Sequence, residues 1–433
     1  MSGGMNAPMV GTLARLTRPR VLVIAEAANP EWVSVPLVGW SLANALRDVA
    51  DVHIVTQIRN RDAIRRAGLV EGVDFTAINS EALAAPLWRL AKHLRMGEGR
   101  GYTMVQAVGA MAYPWFEHLV WRKFGARIRA GEFDIVHRIT PLTPTVPSPI
   151  AAKCRRAGVP FVIGPLNGGV PWPRGFEAAR LREREWLSYF RGAHRLLPYR
   201  AATLGAEAVI VGSRHTESEM PPGARCHYMP ENGVDPALYP ARARRARGSL
   251  RACFIGRMVP YKGPDMLLEA AEPLVREGWL QIEMIGDGPM LRDLRWRWEG
   301  SGVRFRGWLD HAGVRAIASG CDLLAFPSIR EFGGGAVLEA MALGLAPLVV
   351  DYAGPGELVG PGLGYKVPIG RRSEIVDRFR AALSTLVEDR AGVAAVGAAA
   401  RAHVLAEFSW PAKAARVAEI YAEVLERSME QRA

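Results

Sequence analysis

Short runs of apolar, mostly β-branched residues recur along the chain, separated by stretches with helical spacing. We predict strands at Arg20–Ala25, Val52–Thr56, Phe133–His137, Pro160–Ile163, Ala208–Gly212, Arg251–Ile255, Gln281–Ile285, Asp322–Phe326 and Pro347–Val350. Helical spacing is clearest at Pro36–Arg47, Pro264–Glu277 and Ala336–Leu343. Strands that are apolar throughout and alternate with helices are typical of parallel sheets covered on both faces. The pattern therefore predicts an α/β protein with two Rossmann-like halves.

A basic, polar segment separates the two halves. Arg242–Gly248 (RARRARG) contains four Arg and no apolar residue larger than Ala, which is typical of an exposed linker. We expect a first domain at 18–240 and a second domain at 248–408. Trp410–Glu430 has the pattern of a final helix, with Ser409 near its N-cap.

Composition excludes several classes of protein. The 433 residues are 49% hydrophobic and 23% charged, which rules out a disordered, collagen-like or coiled-coil chain. Cys154, Cys226, Cys253 and Cys321 lie far apart, so neither a zinc pattern nor a disulfide framework is expected, and a reducing cytoplasm suits them. Met1–Arg20 lacks the apolar segment of a secretory signal, and no run approaches the ~18 apolar residues of a spanning helix.

Positive charge is concentrated in the first half. The net charge is +12, and residues 1–240 contain 29 Lys and Arg against 20 Asp and Glu. Such an excess attracts nucleic acid, a membrane surface or a phosphorylated small molecule. The basic, aromatic stretches at Pro114–Arg129 and 171–200 suit either a helix lying on an anionic membrane or a core-facing helix with a solvated outer face.

The first chemical motif follows a predicted strand of the second half. After Ile255 come Gly256 and Arg257, then Lys262, and a helix opens at Pro264. This order places two cations at the carboxyl edge of a parallel sheet, where open α/β sheets bind ligands. A guanidinium and an ammonium together suit a diphosphate, although a surface turn with solvated cations has the same pattern.

The second motif is a run of three glycines between two glutamates. Glu331 precedes Gly333-Gly334-Gly335, and Glu339 lies one turn inside the helix that begins near Ala336. Glycine lets the backbone approach an anion closely, and a helix N-terminus adds unpaired N–H donors. An ionised carboxylate accepts hydrogen bonds only, which suits the two hydroxyls of a ribose.

Together these motifs resemble the retaining glycosyltransferases of the GT-B fold, family 4. Other segments are similar to the family's motifs: Glu231-Asn232-Gly233-Val234-Asp235 (with Glu where the family has Pro), Ile285-Gly286-Asp287-Gly288-Pro289, Val303-x-Phe305-x-Gly307, Gly354-Pro355-Gly356-Glu357 and Phe408-Ser409-Trp410. The resemblance is strong over about 205–430 and weak before it. It implies a final helix that crosses back onto the first domain.

The resemblance also implies roles for individual residues. Arg257 and Lys262, after Gly256, would neutralise the donor diphosphate and stabilise it as the leaving group, and Glu339 would hold the ribose. Glu331 would contact the donor sugar. The backbone N–H groups of Gly334, Gly335 and Ala336 would bind phosphate. It further implies a cytoplasmic hexosyltransferase that acts on a lipid-linked or saccharide acceptor in cell-envelope, exopolysaccharide or glycolipid synthesis.

The first half is expected to hold the acceptor. In the family, a His at the end of the strand corresponding to Phe133–His137 contacts the donor sugar, so His137 is a candidate catalytic residue, with a strand-end His satisfied by the backbone as the alternative. Candidate acceptor residues are Asn29, Glu31, Trp32, Asn167 and Gly168. The chain contains no Asp-x-Asp, so we expect no metal and no cofactor besides the nucleotide sugar.

Two other classes of function remain open at this stage. Gly286-Asp287-Gly288 follows a predicted strand, as in NAD-dependent oxidoreductases, but lacks the third Gly of the dinucleotide fingerprint. The net charge of +12 also suits a non-catalytic protein that binds an anionic ligand. No recognised nucleic-acid motif is present, so a nucleic-acid partner is not expected.

Overall fold

Two parallel sheets form the scaffold of the protein. The computed structural model describes residues 18–82, 102–177, 180, 200, 204–240 and 248–432, with only the backbone for 102–111. The first sheet contains β1 (Arg20–Ala25), β2 (Asp51–Gln57), β3 (Phe75–Ile78), β4 (Ile135–Thr140), β5 (Phe161–Leu166), β6 (Ala208–Val211) and β7 (Cys226–Tyr228). The second contains β8 (Leu250–Ile255), β9 (Leu280–Ile285), β10 (Val303–Gly307), β11 (Leu323–Phe326), β12 (Ala346–Asp351) and β13 (Tyr365–Pro368).

The order of the strands explains which of them the sequence predicts. The sheets have the orders β3-β2-β1-β4-β5-β6-β7 and β10-β9-β8-β11-β12-β13. All nine predicted strands are interior ones, while β3, β7, β10 and β13, which the apolar runs did not predict, form the four edges. In β10, for example, Arg304 and Arg306 are exposed between more buried neighbours. An edge strand is partly solvated, so it lacks the continuous apolar run of an interior strand. The α/β prediction is confirmed.

Helices cover both faces of each sheet. In the first half they span Val35–Ala45, Arg61–Arg66, Tyr102–Arg129, Pro149–Arg156 and Arg214–Ser218. In the second half they span Pro264–Arg276, Leu291–Trp298, His311–Ala318, Gly335–Ala342, Ala353–Leu358, Arg372–Glu388, Arg390–Glu407 and Trp410–Glu430. Within the described residues, no helix is both long and apolar enough to cross a membrane.

The long helix Tyr102–Arg129 turns its apolar face inward. Phe116, Val120 and Phe124 are buried in the core of the first domain, whereas Arg122 and Lys123 are exposed. This is the arrangement expected of a core-facing helix with a solvated outer face. Most of the basic stretch 171–200 and most of the linker at 242–248 lie outside the described residues.

The final helix returns to the first domain. Its side chains Val417, Ile420, Tyr421 and Val424 are buried in the same core cluster as β1 and β4. Two backbone hydrogen bonds hold its start against the interdomain segment, since Val234 N donates to Phe408 O over 3.0 Å and Trp410 N donates to Val234 O over 3.0 Å.

Candidate functional site

A cleft of about 2090 Å³ lies between the two domains. Loops that follow β1, β4 and β5 form its first wall, and loops that follow β8, β9, β10 and β11 form the opposite wall. Parallel strands bring the loops that follow them to one edge of the sheet, which is where ligands of open α/β sheets bind. This cleft therefore lies where the sequence motifs place their chemistry.

The basic motif folds into a tight turn at the end of β8. Gly256 has φ 152°, and a β-carbon there would lie 3.3 Å from the Cδ atom of Lys262. The short turn Pro260–Lys262 directs that lysine back toward the strand, with its Nζ 5.5 Å from the ring centre of Phe326. Gly256, Arg257 and Lys262 all line the cleft. A side chain at this position would have a rarely adopted backbone φ and would press against the lysine stem.

Lys262 and Glu331 form an ion pair in the cleft. Lys262 Nζ lies 2.8 Å from Glu331 Oε2, and both side chains are about one fifth exposed (18% and 21%). Burial opposes the charge of the ammonium, but the carboxylate of Glu331 outweighs this effect and raises the pKa of Lys262. The lysine is therefore charged at neutral pH and can bind an anion.

The glycine run begins the helix Gly335–Ala342. Gly334 is the N-cap and has φ 58°, a left-handed conformation that glycine adopts without strain. Gly335 and Ala336 line the cleft, whereas Gly334 is buried behind them and does not line it. The first N–H groups of a helix have no acceptor within the helix and attract anions.

Glu339 lies one turn further along this helix and also faces the cleft. Its Oε1 is 3.8 Å from His311 Nδ1, and Arg315 is close enough to influence its charge. Burial raises the pKa of Glu339, while His311 and Arg315 act in the opposite direction. The carboxylate is thus partly shielded and lies beside an imidazole and a guanidinium group.

The structure brings together most of the residues predicted for the donor. The cleft-lining set comprises Gly256, Arg257, Lys262, Glu331, Gly335, Ala336 and Glu339. These residues come from two loops and one helix start, and Glu331 lies 75 positions after Gly256 in the chain. One surface therefore combines a cation pair, helix N–H groups and two carboxylates, which suits a nucleoside diphosphate carrying a sugar.

His137 does not belong to this surface, so the expectation that it contacts the donor sugar is corrected here. The residue is fully buried in β4 and is absent from the cleft wall. Its Nε2 is 2.8 Å from the carbonyl of Gly164, and its Nδ1 is 2.6 Å from the hydroxyl of Tyr421. A carbonyl only accepts, so Nε2 carries the proton and Nδ1 accepts from the tyrosine. The side chain joins the final helix to the first sheet.

Replacing His137 by Phe is expected to destabilise the fold by about 2–4 kcal/mol, because it leaves the Tyr421 hydroxyl and the Gly164 carbonyl buried without this partner. Urea unfolding measures the loss, and the Michaelis constant for the donor is expected to stay unchanged. A raised donor KM with unchanged stability would return His137 to the site.

His137 is also expected to make the free energy of unfolding depend on pH. Burial lowers the pKa of His137 to about 4 from 6.5. Below pH 6.5 the unfolded chain binds a proton at this site while the folded chain does not, so the free energy of unfolding falls between pH 6.5 and 4, by about 3 kcal/mol. This part of the acid sensitivity is expected to be absent from the Phe variant.

The predicted acceptor residues have different environments. Trp32 (44% exposed), Glu31, Asn167 and Gly168 line the cleft, but Asn29 is buried and does not. The Asn29 amide instead accepts a hydrogen bond from Glu31 N over 2.9 Å, so it shapes the loop. Glu31 is engaged by Arg66, with N–O distances of 2.7 and 2.8 Å.

Sequence reasoning missed an ion pair on the first-domain wall. Glu26, directly after β1, lines the cleft together with Arg59, and the two side chains form an ion pair. Burial raises the pKa of Glu26, and Arg59 opposes the shift. The position of Glu26 at a strand end was a usable signal, whereas its pairing with Arg59 depends on the packing of β1 beside β2.

No group of three or more His, Cys, Asp or Glu side chains that could hold a metal ion occurs in the described part of the chain. The cations that face the cleft are side chains of the protein itself, Arg257 and Lys262 among them.

Comparison with solved structures identifies the fold. Solved structures with the same fold include sucrose-phosphate synthase from Thermosynechococcus elongatus (TM-score 0.61, 17% identity, 95% of this chain and 100% of that chain). The Anabaena protein HepE, solved with UDP and glucose, is also similar (TM-score 0.56, 15% identity, 94% of this chain and 100% of that chain). These likenesses show that the chain has the GT-B fold.

The second domain resembles a known family. Residues 249–389 match the family described as Glycosyl transferases group 1. The resemblance drawn from the sequence motifs is confirmed at this level. The GT-B prediction is confirmed as well.

Curated relatives agree with this assignment. A glycogen synthase from Mycobacterium tuberculosis is 29% identical over 202 residues, which cover 44% of this chain and 47% of that protein. A GDP-mannose-dependent alpha-(1-6)-phosphatidylinositol monomannoside mannosyltransferase from the same species is 28% identical over 334 residues, 68% of this chain and 85% of that protein. The chain spans about half the length of the first of these relatives.

Proposed function

We propose that the protein is a retaining hexosyltransferase of family 4 that uses a nucleoside diphosphate sugar and needs no metal. The Lys262–Glu331 pair carries this proposal, since it places a charged ammonium 2.8 Å from a carboxylate at the mouth of the second sheet. Gly335 and Ala336 begin a helix on the same surface, and Glu339 follows within one turn. A departing diphosphate develops negative charge, which fixed cations and helix N–H groups stabilise most strongly in a closed cleft.

The proposed reaction uses these residues to release the leaving group. The bond between the anomeric carbon and the diphosphate oxygen breaks, and its electron pair leaves with the nucleoside diphosphate. Arg257 and Lys262 stabilise that charge, Glu339 holds the ribose, and Glu331 faces the sugar. An acceptor hydroxyl attacks from the same face, and its proton passes to the departing phosphate oxygen. Attack on the face that the leaving group vacates retains the anomeric configuration.

The acceptor would bind on the first-domain wall. Apolar side chains there include Trp32, Tyr113, Phe116 and Leu142, and the ion pair of Glu26 with Arg59 lies on the same wall. We therefore propose a lipid-linked or saccharide acceptor in envelope, exopolysaccharide or glycolipid synthesis at the cytoplasmic face of the membrane. Phosphatidylinositol monomannoside in the name of one relative supports a lipid-linked acceptor.

A thermal-shift screen of nucleotide sugars tests this proposal. A ligand that binds only the folded state stabilises it by RT ln(1 + [L]/Kd), about 2.7 kcal/mol at a hundredfold excess over Kd. One base and one sugar are expected to raise the melting temperature together, with the free nucleoside diphosphate giving part of the effect. No shift with any nucleotide sugar, together with a shift with NADH, would replace the transferase by an oxidoreductase.

A further inference from the structure

A buried carboxylate lies between the two domains, beside the loop 331–335, which we call the donor loop. Glu231 belongs to the segment that leads from β7 to the second domain, and it is only 6% exposed. A glycine flanks each of its oxygens. A β-carbon at Gly212 of the first domain would lie 2.7 Å from Oε2, and one at Gly333 of the second domain would overlap Oε1. The carboxylate therefore occupies space that any other residue at either position would fill.

The first domain holds this carboxylate through Asn167. Asn167 Nδ2 donates to Glu231 Oε2 over 2.7 Å. Asn167 Oδ1 accepts from Gly168 N over 2.7 Å and from Ser213 Oγ over 3.1 Å. These donors fix which end of the amide faces the glutamate, because an amide oxygen accepts while its nitrogen donates. The Asn167 side chain thus links the loop after β5 to Glu231.

The donor loop is held from the other side. Asn232 Nδ2 donates to Gly333 O over 2.9 Å and approaches Glu231 Oε1 at 3.4 Å. Gly333 is therefore fixed by a hydrogen bond to its carbonyl and by direct contact of its α-carbon with the carboxylate. Two residues later the helix with the phosphate-facing N–H groups begins.

Charge makes this arrangement costly to bury. Burial raises the pKa of Glu231, and the Asn167 amide opposes the shift. Lys413 of the final helix is also buried and donates from Nζ to the carbonyl of Pro230. Burial lowers the pKa of Lys413 to about 7, and Glu231 opposes that shift. Removing the charge of Glu231 therefore leaves the buried ammonium of Lys413 without the nearby carboxylate that favours its charged form.

We propose that Glu231 is a positioning residue that locks Gly333, and with it the donor loop 331–335, against the first domain. The inference rests on the proposed function, because it concerns the loop that would hold the donor diphosphate. The similar turn of the family has Pro at this position, and Pro offers no side-chain acceptor, so the link is a property of a chain with Glu here. Correct placement of the phosphate-facing helix then depends on engagement of both domains.

The test uses Glu231→Gln and a paired variant. Gln has the same shape but replaces one acceptor by a donor, so it opposes the amide of either Asn167 or Asn232. The double variant Asn167→Asp with Glu231→Gln exchanges donor and acceptor and restores both contacts. Glu419→Gln, an exposed site on the final helix, is the matched control (60% exposed side chain).

We expect Glu231→Gln to lower kcat/KM for the donor about 10- to 100-fold, chiefly through KM, because small displacements of a positioned group have effects of this size. The nucleoside diphosphate Kd should rise in parallel, measured at a temperature where circular dichroism shows the variant to be folded. The double variant should return both values to within a few-fold of the original. Wild-type values in a folded Glu231→Gln protein, or no recovery in a folded double variant, would overturn the proposal.

Hydrogen exchange in the ligand-free protein separates this inference from the proposed function. Amides of 331–343 are expected to exchange faster in Glu231→Gln than in the original, and at the original rate in the double variant and in Glu419→Gln. If no nucleotide sugar binds but this pattern holds, the proposed function fails and the link stands. An unchanged exchange rate in Glu231→Gln would contradict the proposal that Glu231 holds the loop 331–335. If that variant does not fold, native exchange and nucleotide affinity in the double variant support it, and their loss contradicts it.

Discussion

Replacing Lys262 by Met is expected to reduce kcat/KM for sugar transfer by about 10²–10³-fold, the usual effect of removing one preorganised group from a site of developing charge. Met keeps most of the length of the lysine stem that packs beside Gly256, so the fold should persist. The change removes the ammonium that would meet the departing diphosphate and leaves Glu331 without its partner at 2.8 Å. Steady-state kinetics with the donor identified by the thermal-shift screen measure the effect.

Lys366→Met is the matched control for this experiment. Lys366 pairs with Asp351 Oδ1 at 3.0 Å, on β13 and β12, and does not line the cleft. Its replacement should leave the rate within about twofold, as is usual for surface changes of under ~0.5 kcal/mol. Transfer at the original rate by the Lys262 variant would show that the ion pair with Glu331 is structural and would remove the assignment of the donor site.

Glu339→Ala is expected to raise the Kd of the donor and of the free nucleoside diphosphate by about 10- to 100-fold. Losing hydrogen bonds to a charged group has an effect of about 1.5–3 kcal/mol. The turnover number should change less, because the ribose is remote from the reacting carbon. Isothermal titration calorimetry with the nucleoside diphosphate measures the affinity directly.

The ribose hydroxyls supply the control for this second result. A 2′,3′-dideoxy nucleoside diphosphate lacks the groups that Glu339 would hold, so it should bind the original protein and the Ala variant about equally. Glu269→Ala, on an outer helix where the carboxylate pairs with Arg372, should bind both ligands as the original does. Equal loss of affinity for both ligands in the Glu339 variant would mean that the residue acts through His311 or Arg315 and not on the ribose.

The sequence predicts the interior of this fold better than its borders. β8 and β9 lie between neighbouring strands and beneath helices, so most of their side chains are apolar and their runs are visible. β13 is an edge strand with the pattern YKVP, in which only Val367 is buried. Its pairing with β12 depends on backbone hydrogen bonds, which leave little trace in the side chains.

The sequence likewise predicts local parts of the candidate site better than contacts between distant segments. Residues that act within one loop, such as Arg257 and Lys262, could be found from spacing alone. The contact of Glu231 with Gly333 joins positions far apart in the chain and depends on how the two domains pack. The roles of His137 and Asn29 were also set by packing, since the same polar side chains at strand ends serve either a cleft or a core.

The final helix has a consequence for how the chain becomes folded during synthesis. Tyr421 bonds to His137 across 284 positions, and Val424 fills the same core as β1. The ribosome has therefore completed every strand of the second sheet before the last wall of the first domain exists. Val404, a late member of the second core, is made before that helix begins. The first domain is consequently synthesised first but can complete its core last. Until the final helix packs, this domain exposes apolar surface that favours aggregation.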